Sequence, residues 1–243
     1  MNNRNQIHTM TFRRIALRVG LACLLAVCGL FAAATVFAAA GEAGRAISVV
    51  PGVFVERNGT KTPLALNDPV RNTDTIITDA TGRARILFQD DGAVTLGPDT
   101  SLALIEVLPE GKTPIFKAHV AQGLARFITG RIVEQNPKGF AVSTPEGTAG
   151  IRGTIFVLRT GNGQTTLYVV NATRDVVMNG VSVPGGFKMT LPGGNPMPMT
   201  PQDVALTQSI AAAPPSSRGN GAPDAPERAL LAVLDENDPL TPT

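Results

Sequence analysis

The stretch AVSTPEGTAGIRGTIFVL, residues 141–158, joins two runs of alternating apolar residues through a centre rich in turn-forming residues. Pro145 fixes its own φ and favours an extended backbone at Thr144. Three glycines in the centre permit positive φ or a close approach of another backbone: Gly147, Gly150 and Gly153. The stretch therefore predicts a strand, a tight turn and a second strand.

Short alternating apolar runs continue on both sides of this stretch, with a turn about every ten residues. Asn58-Gly59, Asn179-Gly180 and Gly185-Gly186 predict hairpin turns, Asp91-Gly92 predicts a further turn, and Gln122-Gly123 predicts a corner. No amphipathic helix of useful length interrupts the runs. We therefore predict an all-β fold, an antiparallel β-sandwich or β-roll of many short strands.

The composition changes after residue 192. Thr200 is a predicted N-cap, Pro201 suits the first turn, and Asp203 lies near the positive end of a short helix that we extend to about Ala213. From Pro214 onward, Pro, Ser, Gly and Asn dominate, which is typical of a flexible tail.

The first forty residues have the pattern of an export signal. Four arginines without an acid precede the apolar run 19–34, and Ala38–Ala40 provides a small-x-small cleavage site before Gly41. We expect cleavage and a periplasmic or secreted protein. The alternative is an uncleaved signal-anchor, because residues 19–40 are long enough to span a bilayer and attach the chain to the membrane.

Charge and cysteine content narrow the function classes. After residue 40 the chain has 17 basic against 19 acidic residues, a net charge of −2, so a basic nucleic-acid footprint is not supported. Both cysteines, Cys23 and Cys28, lie in the signal. The exported part therefore has no disulfide, thiol nucleophile or thiolate metal site.

Residues 144–156, TPEGTAGIRGTIF, resemble the signature of FecR-domain proteins, in which Thr-Pro-x-Gly-Thr leads into Arg-Gly-Thr-x-Phe. The matching positions are Thr144, Pro145, Gly147, Thr148, Arg152, Gly153, Thr154 and Phe156. A second block, residues 74–104, is similar to the family pattern and contains its Asp-Gly pair, Asp91-Gly92. The resemblance covers about residues 49–191.

The resemblance implies an exported interaction module. Family members that regulate iron uptake carry a cytoplasmic anti-sigma portion, a membrane span and a periplasmic β-domain. Fewer than twenty residues precede the apolar run here, so we expect no direct sigma-factor contact. We expect another exported or envelope protein as the partner. The expected domains are a signal peptide (1–40), a FecR-like β-domain (41–192), a short helical extension (193–213) and a flexible tail (214–243).

Catalytic, metal and cofactor residues are hard to find in this sequence, and we predict none. His119 is the only histidine after the signal, and neither Ser101 nor Ser143 has a recognisable nucleophile setting. Asp90, Asp91 and Asp99 lack the spacing of a calcium loop. Phosphate-loop spacing is also absent, and with no Trp and one Tyr a carbohydrate cleft is not indicated.

Two other readings stay open. One is an enzyme or small-ligand binder on a β-roll, which a buried His119 beside a carboxylate would favour. The other is a structural envelope protein that uses its tail.

For the signature itself we expect a structural role. The hydroxyls of Thr144, Thr148 and Thr154 and the guanidinium of Arg152 would tie the glycine-rich crossing to adjacent strands, with Phe156 anchored in the core. Arg152→Ala should then lower thermal stability. An unchanged melting temperature with loss of a partner would indicate a binding role instead.

Overall fold

The computed structural model describes residues 41–109, 111, 113–151, 153–174 and 176–212. The predicted signal peptide, the predicted flexible tail and Arg152 lie outside the described residues. The described part contains seventeen strands and two short helices, which confirms the all-β class. The strands are β1 (Glu42–Val50), β2 (Val53–Arg57), β3 (Thr60–Pro63), β4 (Pro69–Arg71), β5 (Thr75–Thr78), β6 (Arg83–Phe88), β7 (Ala93–Leu96), β8 (Ser101–Leu108), β9 (Ile115–Ile128), β10 (Phe140–Ser143), β11 (Thr148–Gly150), β12 (Thr154–Gly161), β13 (Gln164–Ala172), β14 (Val176–Met178), β15 (Val181–Val183), β16 (Phe187–Leu191) and β17 (Met197–Pro198). The helices are α1 (Ile132–Gln135) and α2 (Pro201–Ala211).

Strand β9 joins the strands into two sheets. Its first half pairs with β8 and β10, and its second half pairs with β7 and β12. Gly123, at the predicted corner, has φ +98°, and the strand passes there from one sheet into the other. Sheet 1 has the order β4-β1-β6-β7-β9-β12-β13-β16-β17. Sheet 2 has the order β3-β2-β5-β8-β9-β10-β11-β14-β15.

The predicted antiparallel pairing holds for every strand pair of the described residues except the parallel pair β9–β10. Two predicted hairpins are confirmed, since Asn58-Gly59 and Asn179-Gly180 have positive φ at both residues and connect paired strands. The predicted hairpin at Gly185-Gly186 is wrong. Because β15 pairs with β14 and β16 pairs with β13, this turn carries the chain from sheet 2 to sheet 1.

Five phenylalanines hold the inner faces of the two sheets together: Phe88, Phe116, Phe127, Phe140 and Phe156. Phe116 and Phe140 stack within sheet 2 with ring centroids 4.4 Å apart, and Phe127 and Phe156 stack within sheet 1 at 4.9 Å. Edge contacts between the two pairs, such as Phe116 on Phe127, cross the core. Each such ring pair adds about 0.5–1.5 kcal/mol beyond its buried area.

Helix α2 covers part of the outer face of sheet 1. It begins as predicted at Thr200, which forms a capping box with Asp203. Ile210 packs against Val157 and Tyr168 on the sheet. At the other end of the helix the buried guanidinium of Arg85 donates to the Ala211 carbonyl at 3.3 Å, a favourable position for a cation. Within the described ranges no helix is long and apolar enough to cross a bilayer.

Candidate functional site around the glycine-rich signature

The first half of the signature forms the turn between β10 and β11. The Thr144 amide donates to the Gly147 carbonyl at 2.7 Å, and the Thr144 hydroxyl donates to the same oxygen at 3.1 Å. This hydroxyl therefore closes its own turn, around Pro145, and does not reach an adjacent strand as expected. A Cβ atom at Gly147 would lie 2.6 Å from the Asn179 side-chain amide and from Leu191 Cδ1, so glycine is required by space.

Asn179 and Glu146 form the hydrogen bonds that link this turn to the neighbouring strands, and the Thr148 hydroxyl does not take part. Asn179 Oδ1 accepts from the backbone amide of Thr148 at 2.9 Å, and the backbone amide of Asn179 donates to the Thr148 carbonyl at 3.1 Å. Glu146 accepts from the fully buried Thr165 hydroxyl at 2.5 Å, and Thr165 lies 3.0 Å from the hydroxyl of Thr160. The turn is therefore fixed to both sheets, because Asn179 follows β14 and Thr165 lies in β13.

The second half of the signature carries the chain from β11 in sheet 2 to β12 in sheet 1. Gly153 has φ +97°, and its carbonyl accepts from the Thr173 amide at 3.1 Å and the Thr173 hydroxyl at 3.0 Å. The Thr154 amide donates to the Thr129 hydroxyl at 2.9 Å. The threonines that tie the crossing are thus Thr129 and Thr173, outside the signature. Arg152 lies outside the described residues, so its predicted role stays a prediction.

Thr154 differs from these threonines in its own hydroxyl. The residue is 7% exposed, and no hydrogen-bond partner lies near its buried Oγ1 in the described part of the chain. Burial of an unpaired hydroxyl costs about 1–3 kcal/mol. The expectation that this hydroxyl ties neighbouring strands is therefore wrong.

The other family motif, Asp91-Gly92, forms the turn between β6 and β7, with φ +65° at Asp91. The turn docks on the loop after β9: the Arg131 amide donates to the Asp90 carbonyl at 2.8 Å, and the Arg131 and Asp91 side chains form an exposed ion pair at 3.0 Å. The Asp90 carboxylate is buried and accepts from the Gly92 amide at 3.1 Å. Burial raises the pKa of Asp90, although the hydrogen bond from Gly92 acts in the opposite direction.

The loop formed by residues 129–131 therefore contacts both family motifs. Thr129 binds the start of β12, while Gly130 and Arg131 contact the Asp90–Gly92 turn. Sequence reasoning missed this loop. Its one local signal is Thr129-Gly130 directly after a strand, which is too common a pair to identify partners.

A groove with a volume of about 550 Å³ lies beside this junction. Three segments line it: the end of β9 with its loop and α1, the start of β12, and the end of β13. Gly153 and Thr154 are the signature residues in its lining, while the turn 144–148 does not contribute. The remaining lining residues are Ile128, Thr129, Gly130, Val133, Glu134, Pro137, Ile155, Asn171, Thr173 and Arg174.

The structure also brings together His119 and Ser143, on the parallel pair β9–β10. The His119 Nδ1 atom lies 3.0 Å from Ser143 Oγ, and Ser143 Oγ donates to the Ala118 carbonyl at 3.2 Å. Both side chains are half-buried, and no carboxylate of the described residues contacts His119. Ser101 lies opposite Gln122 and Ile77 instead. Because the Ser143 hydroxyl has one proton and donates it to Ala118, the contact with His119 does not have the direction of a nucleophile–base pair, and no described acid orients the ring as in a catalytic triad.

Comparison with known proteins finds one family model that is similar to the part of the chain containing these motifs. No curated protein matches the chain. Two crystal structures of a candidate anti-sigma factor from Parabacteroides distasonis ATCC 8503 are similar to it, each with 15% sequence identity and a TM-score of 0.45. The matched parts cover 57% of this chain and 64% and 65% of those chains, which is less than two thirds of their length. The family model of FecR protein matches residues 74–173, from the buried Asp74 to the Thr173 that binds the signature. Residues 74–173 of this chain are therefore similar to the FecR protein family.

Proposed function

We propose that this chain is an exported, non-catalytic FecR module that binds another exported or envelope protein in signalling or envelope processes. The FecR match supports a role related to signalling. The observation that carries the binding role is the groove beside the signature, whose main chain is held by the hydroxyls of Thr129 and Thr173. A recognition site needs such a pre-formed concave surface.

The proposed location rests on residues 1–40, whose pattern favours export, with the uncleaved signal-anchor as the alternative. The proposed partner is a protein because the net charge of −2 after residue 40 offers no attraction to nucleic acid. We also propose the division into 1–40, 41–192, 193–213 and 214–243 for the whole chain. The packing of α2 on sheet 1 supports a helical extension that is attached to the β-domain.

Site-specific photo-cross-linking in intact cells of the native host tests the proposal. A photoreactive residue replaces Glu134 at the groove, and in separate variants it replaces Gln164 and Lys61, which lie elsewhere on the surface. We expect Glu134 to yield one identified exported protein as the adduct and the two controls to yield none. Mass spectrometry of the same sample should give Gly41 as the first residue. Equal adducts from all three positions, or none from Glu134, would contradict a binding role for the groove.

The contact between His119 and Ser143 is the observation that favours the alternative, an enzyme on a β-roll. A serine-directed fluorophosphonate probe distinguishes the two. We expect no labelling of Ser143, because no described acid orients His119 towards a proton-accepting role. Labelling of wild type that disappears in His119→Ala would replace the binding module by a hydrolase.

A further inference from the structure

We infer that the outer face of sheet 1 is the docking surface for a segment of this chain's own tail, residues 227–235, which packs there as a short helix. The carboxylates of Glu227 and Asp235 pair with the guanidinium groups of Arg85 and Arg126, and the leucines between them contact the sheet. The segment itself lies outside the described residues. Two buried arginines, an aliphatic cluster beside them and the position at which α2 ends lead to this occupant.

The two arginines lie close together on the outer face of sheet 1 and are buried there. Arg85 of β6 is paired with Thr95 of β7, and Thr95 is paired with Arg126 of β9. Their neighbours along the strands, Ile86 and Phe127, belong to the core, so the arginines point to the opposite face. Arg85 is 0% exposed and Arg126 is 1% exposed. Two buried guanidinium charges this close repel each other, so the site requires carboxylates.

An aliphatic cluster lies beside the arginines on the same face. Leu87, Ala93 and Ile128 form the next row across β6, β7 and β9, and Ile47 of β1 belongs to the same cluster. All four come from strands of sheet 1, whereas α2 packs further along the sheet, on Val157. Ala93 is nevertheless 2% exposed and Ile47 6% exposed. Outer-face side chains of a sheet that faced water would be exposed, so their burial indicates a covering layer with an apolar side.

The tail begins at this surface. The Ala211 carbonyl, at the end of α2, accepts from the Arg85 guanidinium at 3.3 Å, so the described part of the chain ends next to the arginines. Residues 213–243 contain five acids and two arginines, a net charge of −3. Residues 1–40 contain no acid and cannot neutralise the site. Charge and position therefore both favour the tail as the occupant.

Residues 227–235, ERALLAVLD, have the pattern that this surface requires. Five of them recur at i, i+3, i+4, i+7 and i+8 and therefore share one face of a helix: Glu227, Leu230, Leu231, Leu234 and Asp235. The two carboxylates are about 12 Å apart along such a helix, and the two arginines are about 10 Å apart across two strand spacings. A helix that crosses the strands thus brings one carboxylate to each guanidinium and its leucines over the aliphatic cluster. So short a helix forms only when it is packed.

Paramagnetic relaxation enhancement on the isotope-labelled exported protein tests the docking. This part of the chain has no cysteine, so Ala232→Cys carries a single spin label on the far side of the helix. We expect the label to broaden the amide signals of Ala93 and Thr95, and we expect Leu231→Asp, added to the same chain, to abolish that broadening.

Three outcomes of this experiment would overturn the inference. Equal broadening with and without Leu231→Asp would mean that the tail passes the surface without docking. No broadening in the purified protein would assign the surface to another protein. If dilution of the doubly labelled chain into unlabelled chain removed the broadening, the tail would come from a second copy.

Neutral variants test the ion pairs without altering the sheet. Glu227→Gln combined with Asp235→Asn removes both carboxylate charges, and we expect the melting temperature to fall by about 5–10 °C because the buried guanidinium groups lose their counter-charges. Asp224→Asn combined with Glu236→Gln removes the same number of charges outside the docking face. This control should lower the melting temperature by less than about 2 °C. Equal melting temperatures in the two double variants would contradict the proposed pairing.

Discussion

Gly130→Ala should separate the two family motifs that meet at the loop after β9. A Cβ atom at Gly130 would lie 2.6 Å from Asp90 Oδ2 and closer still to the Asp90 carbonyl oxygen and the Gly92 nitrogen. Two of these three atoms belong to the backbone, so a rotamer change cannot relieve the overlap. The Asp90–Gly92 turn or residues 129–131 must move by about 1 Å to reach ordinary contact distances.

The magnitude follows from what this movement breaks. The Arg131 amide would lose its 2.8 Å bond to the Asp90 carbonyl, and the strained turn would weaken the 3.1 Å bond from Gly92 to the Asp90 carboxylate. At about 1 kcal/mol for each hydrogen bond and about 1–2 kcal/mol for residual strain, we expect a loss of about 2–4 kcal/mol. For a domain of this size that lowers the melting temperature by about 5–15 °C.

Urea unfolding followed by circular dichroism measures the effect, with Gly161→Ala as the matched control. A Cβ at Gly161 would meet nothing within 4 Å, and its φ lies outside the left-handed region, so its free energy of unfolding should stay within about 1 kcal/mol of wild type. A Gly130→Ala protein as stable as Gly161→Ala would refute the reasoning. It would mean that the two motifs do not depend on this close backbone approach.

Two further predictions concern ion pairs. Arg57→Met leaves the fully buried Asp74 without its bidentate partner, whose two contacts are both 2.7 Å. We expect the free energy of unfolding, measured in urea, to fall by about 2–4 kcal/mol. In the control Arg45→Met, which removes an exposed ion pair, it should fall by about 0.5 kcal/mol or less. A similar loss in both variants would contradict the role of burial. Burial acts to raise the pKa of Asp203, but the hydrogen bonds from Lys188 and Thr200 outweigh it and lower the pKa. This carboxylate therefore stabilises the fold above about pH 4, and its contribution is lost as the pH falls through the lowered pKa. Urea midpoints measured over about pH 2.5 to 7 should therefore fall more steeply with decreasing pH in wild type than in Asp203→Asn. Parallel curves would show that the Lys188–Asp203 ion pair does not contribute to stability.

The parts of the fold that could be predicted are those that depend on neighbours in sequence. Asn58-Gly59 and Asn179-Gly180 form hairpins because both residues of such a turn need positive φ, which Asn and Gly adopt at low cost. The cap at Thr200 is local for the same reason, since its hydroxyl reaches an amide three residues away. Gly185-Gly186 shows the limit. It carries the same turn chemistry, but whether the next strand pairs back or crosses to the other sheet is decided by strands distant in sequence.

The candidate site depended on such distant partners, and sequence reasoning placed its hydroxyl bonds on the wrong threonines. Thr129 binds Thr154 across 25 residues, and Thr173 binds Gly153 across 20 residues. His119 meets Ser143 across 24 residues, through a parallel strand pair that no alternation pattern indicates. Period-two patterns identify which face of a strand is buried, but they do not specify which strand lies beside it.

The distribution of hydrogen bonds within the signature separates its structural part from its candidate binding part. Thr144 and Glu146 each bond a protein group, and Gly147 has no room for a side chain, so these positions are accounted for by the fold. A signature used only to hold the two sheets together would have its buried polar atoms paired throughout. Thr154 departs from that expectation at the point where the signature lines the groove. The polar ties at this end come from Thr129 and Thr173, outside the signature, and they frame the groove, so we locate the proposed binding role at this end of the signature.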